Sequence, residues 1–188
     1  MKTRHLWFLL LILMIHTGYA QSRAAADSLL VLIHASARED TTKVQQLLNY
    51  ARFHMTANLD TAEIFSFRAV QMAEKIRFPY GMILGYNTMA MARWRKNDLP
   101  GAKRDFFKAL ALADKYHNVY MQVMVADNLG VYYHTYGQLD SAEIFYLRAL
   151  DAAKEDKSVK YYSKTLSDLA INFTTKADYI KAIQSWEC

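Results

Sequence analysis

The sequence predicts an all-α fold, an α-α superhelix of stacked antiparallel helix pairs, and three observations predict it. The first is composition. Of 188 residues, 53% are apolar and 22% charged, the range of a folded domain with a sizeable core. Only 6 Gly and 2 Pro are present, too few punctuators for a many-turned β-sandwich. The second is an internal repeat. Alanine recurs at Ala62, Ala102, Ala142 and Ala182, a constant step of 40, and Ala69, Ala109 and Ala149 follow the first three by seven. Met89-Ala90, Leu129-Gly130 and Leu169-Ala170 keep the same step. The third is the pattern inside each step. Val125, Leu129, Tyr132, Tyr133 and Tyr136 fall on one helical face, and Ala142, Phe145, Tyr146, Ala149 and Leu150 on another. Each unit is therefore a pair of helices.

Taken in order, the chain opens on residues that look like a leader rather than a core. Lys2 and Arg4 precede an unbroken apolar run, Leu6 to Ile15, and Gly18 and Ala20 follow with the spacing of a cleavage site. This three-part pattern predicts a secretory signal peptide over residues 1–20 and hence export to the periplasm or cell envelope of a bacterium. The apolar run is shorter than the roughly 20 residues of a membrane-spanning helix. An uncleaved signal acting as an anchor is the alternative, and a membrane is expected only through it or through a missing downstream segment. Loss of Lys2 and Arg4 lowers the formal net charge from +5 to +3, and the remaining cations are scattered. Nothing in that distribution calls for nucleic acid. Cys188 is the only cysteine, so an internal disulfide and a cysteine-based metal site are both excluded.

Residues 21–40 read as a leader with a short helix, and residues 41–188 as the repeats, with units at about 41–79, 80–118, 119–157 and 158–188. Gly137-Gln138-Leu139-Asp140 separates two helices, with Gly137 able to take the positive φ that ends the first. The heptapeptide LDTAEIF, from Leu59, returns 80 residues later as LDSAEIF, from Leu139. Asp60 and Asp140 are expected to cap the second helix of their pairs, with Glu63 and Glu143 reaching back in a capping box. The chain stops at Trp186-Glu187-Cys188, inside the second helix of its fourth unit. Solenoids carry polar end caps, so the stop reads as a truncated chain or a fragment of a longer one.

Leu129-Gly130, Tyr133, Ala142, Tyr146 and Ala149 together resemble the tetratricopeptide repeat signature, spacings included. The resemblance covers about Thr41 to Cys188. It departs from the family in its step of 40, in Arg93 at a place where an aromatic is expected, and in lacking a proline near the end of each unit. A leader followed by Asp27-Ser28-Leu29-Leu30 and Asp40-Thr41-Thr42-Lys43-Val44 further resembles the exported repeat region of bacterial sensor histidine kinases and transcriptional regulators. What this implies is a protein-protein interaction module, the sensory part of a signalling protein. A free-standing scaffold for envelope assembly is the alternative.

No catalytic spacing is present: no His-Glu-x-x-His, no Gly-x-Ser-x-Gly and no phosphate-binding glycine loop. The sequence therefore predicts no enzyme, no cofactor and no metal; an enzyme with a site hidden from motif search is the remaining class. His54 and His134 stand 80 apart with Trp94 midway between them, too far separated to converge on a metal. By the family resemblance, the first helix of each pair lines a concave groove. The candidates to meet a protein or peptide segment there are Asn87, Met91, Trp94 and Arg95, with Asp127, Val131, His134 and Thr135. The competing reading is that Trp94 packs into a neighbouring helix and the polar residues are solvated. A homodimer is a further open partner. The triplet Asn172-Phe173-Thr174 matches a glycosylation acceptor but falls within a predicted helix.

Overall fold

The computed structural model describes residues 27–34, 39–156 and 159–186, all of it helices and short turns. The expected signal peptide and Cys188 lie outside these. Helix α1 spans 27–34. Four antiparallel pairs follow: α2 (Thr41–His54) with α3 (Leu59–Lys75), α4 (Pro79–Arg95) with α5 (Leu99–Lys115), α6 (Val119–Thr135) with α7 (Leu139–Asp156), and α8 (Val159–Thr175) with α9 (Tyr179–Trp186). Each pair packs on the next, so that the chain is an α-α superhelix. No described helix is both long and apolar enough to cross a membrane.

The step of 40 is visible in how the helices begin and end. Asn58 and Asp98 cap α3 and α5, each accepting a hydrogen bond at 3.0 Å, from Thr61 N and Gly101 N. Asp178 does the same for α9, accepting from Lys181 N at 3.3 Å. Before them, Asn97 and Ala177 stand at φ of 66° and 57°, with Gly137 at 68° in the equivalent place. Each is followed by a bond that closes the preceding helix, such as Asp98 N to Arg93 O at 2.9 Å. Gly137 thus takes the expected conformation. In Ala177 and Asn97 the same turn is made by residues for which it is less favourable.

The expected caps need correction. Asp60 and Asp140 are the second residues of α3 and α7, two positions too late to cap them. Asn58 holds the cap of α3, and Gln138 stands at the equivalent place before α7. The physical reason is that Leu59 and Leu139 already have helical conformation, which moves the boundary two residues towards the N-terminus.

The repeated small residues let paired helices close. Ala62, Ala102, Ala142, Ala69, Ala109 and Ala149 are all completely buried. Gly130 receives the ring of Tyr146 so closely that a Cβ there would lie 2.5 Å from Tyr146 Cδ1. Arg93, the departure from an aromatic, also has an account. It reaches Glu63 on α3 at 2.9 Å and Asp105 on α5 at 2.6 Å. Forty residues on, the same two places hold Tyr133 and Phe145, stacked at 5.3 Å with their planes 2° apart. An ion pair in one unit takes the place of a ring pair in the next.

Candidate functional site

The first helices of units 1 to 3 turn one face each towards a common hollow. Positions 80, 84, 87, 88 and 91 on α4 and 120, 121, 124 and 128 on α6 follow the three-and-four spacing of a single helical stripe. With Arg52 and Met55 at the end of α2, they enclose a cavity of about 330 Å³. Its floor is rich in thioethers, from Met55, Met91, Met121 and Met124, and its rim carries the rings of Tyr80 and Tyr120. Methionine is flexible and polarisable, so such a floor adapts to the shape of what lies on it. No acidic residue lines the hollow. Arg52 is exposed and makes no ion pair among the described residues.

Two amides cross the cavity from neighbouring units. Asn128 Nδ2 donates to Asn87 Oδ1 at 2.9 Å, while Asn87 Nδ2 points at Met91 Sδ at 3.8 Å. Asn128 Nδ2 also lies 4.0 Å from the same sulfur. Thioether sulfur is a weak acceptor. Asn87 is only 3% exposed, so its donor is held out of water with a poor partner and would gain from a better one, such as a peptide carbonyl.

Of the residues singled out in the sequence, Asn87 and Met91 open onto this cavity. The others are placed elsewhere. Trp94 packs edge-on against Phe106 and Tyr132 and donates from Nε1 to Tyr136 Oη at 3.1 Å, bridging units 2 and 3. Arg95 is exposed and donates to the carbonyl of Met55, tying α4 back to the end of α2. Asp127 is buried at the joint to α8, where Thr165 Oγ1 donates to it at 3.0 Å and Lys164 pairs with it. Burial raises the pKa of Asp127, and the Lys164 ammonium opposes that rise. His134 Nδ1 meets Asn172 Oδ1 at 3.0 Å, which places the proton on Nδ1. Val131 is half-buried against the core, and Thr135 bonds the carbonyl of Val131 in its own helix. Asn172 is fully buried and donates from Nδ2 to Leu139 O at 3.0 Å, so both ends of its amide hold the joint.

His54 differs from its counterpart at 134. Its ring lies 4.6 Å from that of Tyr50 and 5.2 Å from that of Phe53, and both its nitrogens are buried without a hydrogen-bond partner. Burial lowers its pKa, so the imidazole is held neutral.

Sequence reasoning missed Tyr80, Leu84, Thr88, Tyr120, Met124 and Asn128. The signal was present: 80 and 120, 84 and 124, and 88 and 128 each differ by the repeat step. A second cavity, of about 420 Å³, lies between α1, α2 and α3, lined by Ile33, Leu47 and Met72 together with the paired Glu39 and Lys75 and the cations Lys43 and Arg68.

No family model matches the chain, and no curated protein matches it in sequence. Solved structures do match it in shape. BtubC from P. vanneervenii superposes with a TM-score of 0.75 at 17% identity, over 90% of this chain and 72% of that one. A Rap protein complexed with Competence and Sporulation Factor gives 0.78 at 15%, over 93% of this chain and 50% of its own. A kinesin light chain with nearly identical TPR-like repeats, from Podosopora anserina, gives 0.68 at 13%, over 90% and 86%. The chain thus spans half the length of the Rap protein and most of the length of the other two. Identities this low speak for the fold alone, and the fold is that of the tetratricopeptide-like α-α superhelix.

Proposed function

We propose that the chain is a non-enzymatic interaction module that docks an extended protein or peptide segment in its inner groove. The observation that carries this reading is the Asn87–Asn128 pair standing over a floor of methionines. Extended segments present alternating backbone amides and side chains. The two asparagines suit the first, and the adaptable thioether floor suits the second. One structural neighbour is a Rap protein complexed with Competence and Sporulation Factor, which supports a binding role for a fold of this kind.

Export rests on the positive start, the apolar run from Leu6 and the small residues before Gln21. A periplasmic groove that captures a segment is suited to sensing, so the module is assigned to the receiving side of a bacterial signalling protein. The reading frame beyond the codon for Cys188 tests that part. A membrane helix and an output domain support it; an immediate stop favours the envelope scaffold instead.

The docking reading itself is tested by selecting peptides from a random display library on the chain and measuring their affinity by calorimetry. Asn87→Ala with Asn128→Ala should weaken selected peptides by roughly tenfold or more, the loss of two hydrogen bonds at a buried site. Peptides whose affinity survives this double change, and survives Met91→Asp as well, do not use the groove and would overturn the proposal.

A further inference from the structure

The echoed heptapeptide supplies a pair of carboxylates at two of the three joints between units. Between units 1 and 2, Lys96 at the end of α4 reaches Asp60 at 2.5 Å and Glu63 at 2.9 Å. Between units 3 and 4, Lys176 just after α8 reaches Asp140 at 2.7 Å and Glu143 at 2.6 Å. These six residues occupy the same three places, 80 residues apart. At the joint between units 2 and 3, the same places hold Pro100, Lys103 and Tyr136, which cannot form the staple.

Rings fill that joint instead. Trp94 lies 5.6 Å from Tyr132, Tyr132 lies 5.3 Å from Tyr136, and Lys103 turns its ammonium over the Tyr133 ring at 5.5 Å. Among consecutive helices from α2 to α9, α5 and α6 have the loosest backbone packing. Polar ties from unit 2 to unit 3 include Asn128 to Asn87 at 2.9 Å, Trp94 Nε1 to Tyr136 Oη at 3.1 Å, Tyr132 Oη to Leu99 O at 3.2 Å, and two on Asp114, which accepts from Gln122 at 3.0 Å and pairs with Arg148 at 2.5 Å; of these only Asp114–Arg148 joins two charges. Edge-to-face ring pairs keep only a modest geometric preference, so a small shift of one face on the other costs little. A lysine held between two carboxylates on one helical turn makes two charge-assisted contacts that must stretch if the joint bends. Exposed ion pairs contribute little to stability; here their effect is on orientation, with Glu63 and Glu143 only 24% and 20% exposed.

The inner cavity lies across this same joint. Arg52, Met55, Leu84, Asn87 and Met91 belong to units 1 and 2, while Tyr120, Met121, Met124 and Asn128 belong to unit 3. We infer that the array bends between α5 and α6, its two stapled halves moving as units, and that the groove widens or narrows with this bend. The bend stands on the joints alone; its effect on binding rests on the groove reading above.

The test uses pairs of spin labels in the full chain carrying Cys188→Ser. Cysteines at the exposed positions Gln71 and Ala111 span joint 1–2, Ala111 and Asp151 span joint 2–3, and Thr135 and Thr175 span joint 3–4. The 111–151 distance distribution should be the broadest of the three. Building the missing staple, Pro100→Asp with Lys103→Glu and Tyr136→Lys, should narrow it to the width of the others. If that variant loses helicity, Lys176→Ala offers the converse: the 135–175 distribution should broaden. Equal widths at all three joints, or widths indifferent to staple building and removal, overturn the inference. A selected peptide that binds a chain with a stiff 2–3 joint refutes the hinge and spares the groove. A mobile joint in a chain that binds no peptide does the reverse.

Discussion

Replacing Arg93 by tyrosine, alone and together with Asp105→Phe, probes how one register serves two kinds of contact. Asp105 is 3% exposed, and its nearest cationic atom is Arg93 Nη1 at 2.6 Å. Removing one partner of a buried ion pair costs about 3–5 kcal/mol, because the other charge stays out of water. Two features reduce that figure here. Arg104, itself two-thirds exposed, remains 3.3 Å from Asp105, and burial already raises the Asp105 pKa so that it can take up a proton. About 2–3 kcal/mol is therefore expected for Arg93→Tyr alone, a fall in Tm of roughly 5–10 °C for a chain of this size. The double variant recreates the stacked pair seen at Tyr133 and Phe145. It should return to within about 1 kcal/mol of the parent, since well-packed apolar pairs commonly replace buried ion pairs at no loss. Urea unfolding followed by circular dichroism reads all three chains. A single variant as stable as the parent, or a double variant no better than the single, refutes the register argument.

Asn58→Ala should destabilise by about 1 kcal/mol as a lost cap, whereas Asp140→Ala, exposed and not at a cap, should change the urea midpoint less than Asn58→Ala does. Ala177→Gly should stabilise by about 1 kcal/mol, because only glycine is at ease at its φ of 57°. Gly130→Val should destabilise by about 2 kcal/mol or more in the same assay, since the Tyr146 ring has no room to retreat. The staple also fixes a pH dependence. Burial raises Glu63, but hydrogen bonds from Lys96 and Arg93 outweigh it and leave its pKa lowered; hydrogen bonds to Asp60 and Glu63 raise Lys96. A lowered carboxylate stabilises above its ordinary value of 4.5 and loses that as pH falls through its folded pKa, while a raised lysine loses its contribution as pH climbs past 10.5. The difference in urea midpoint between the parent and Lys96→Ala should thus be constant between these limits and shrink outside them. Asp105 and Asp127, both raised by burial, run the opposite way on the acid side, and common to both chains they cancel in the difference.

The fold was legible because its packing is written in small residues at a fixed step. Ala62, Ala102 and Ala142 must each admit a facing helix, and nothing larger would fit, so the period survives where the larger side chains vary. Helix ends were harder. The letters of LDSAEIF satisfy a capping box, yet Leu139 is already helical, and only the position of the preceding αL residue, Gly137, would have corrected this. The role of Asp60 and Glu63 could not be read locally, since their lysine stands on the next unit. The echo of 80 residues, together with Lys96 and Lys176 at the same interval, was the visible trace of it. Of the candidates named from the sequence, Asn87 and Met91 open onto the inner cavity, whose lining continues towards the start of each helix, through Leu84 and Tyr80, rather than towards its end. Trp94 and His134 near the helix ends, and Asp127 at the middle of α6, touch the neighbouring unit, and a polar or aromatic residue in contact with two units looks in sequence like one awaiting a ligand.

Docking in the inner groove is tested most directly by amide hydrogen exchange of the chain with and without a saturating selected peptide. The account predicts added protection over residues 80–91 and 120–128, with α3, α5 and α7 unchanged along their outer faces. Protection confined to the outer helices, or none at all at saturation, contradicts it.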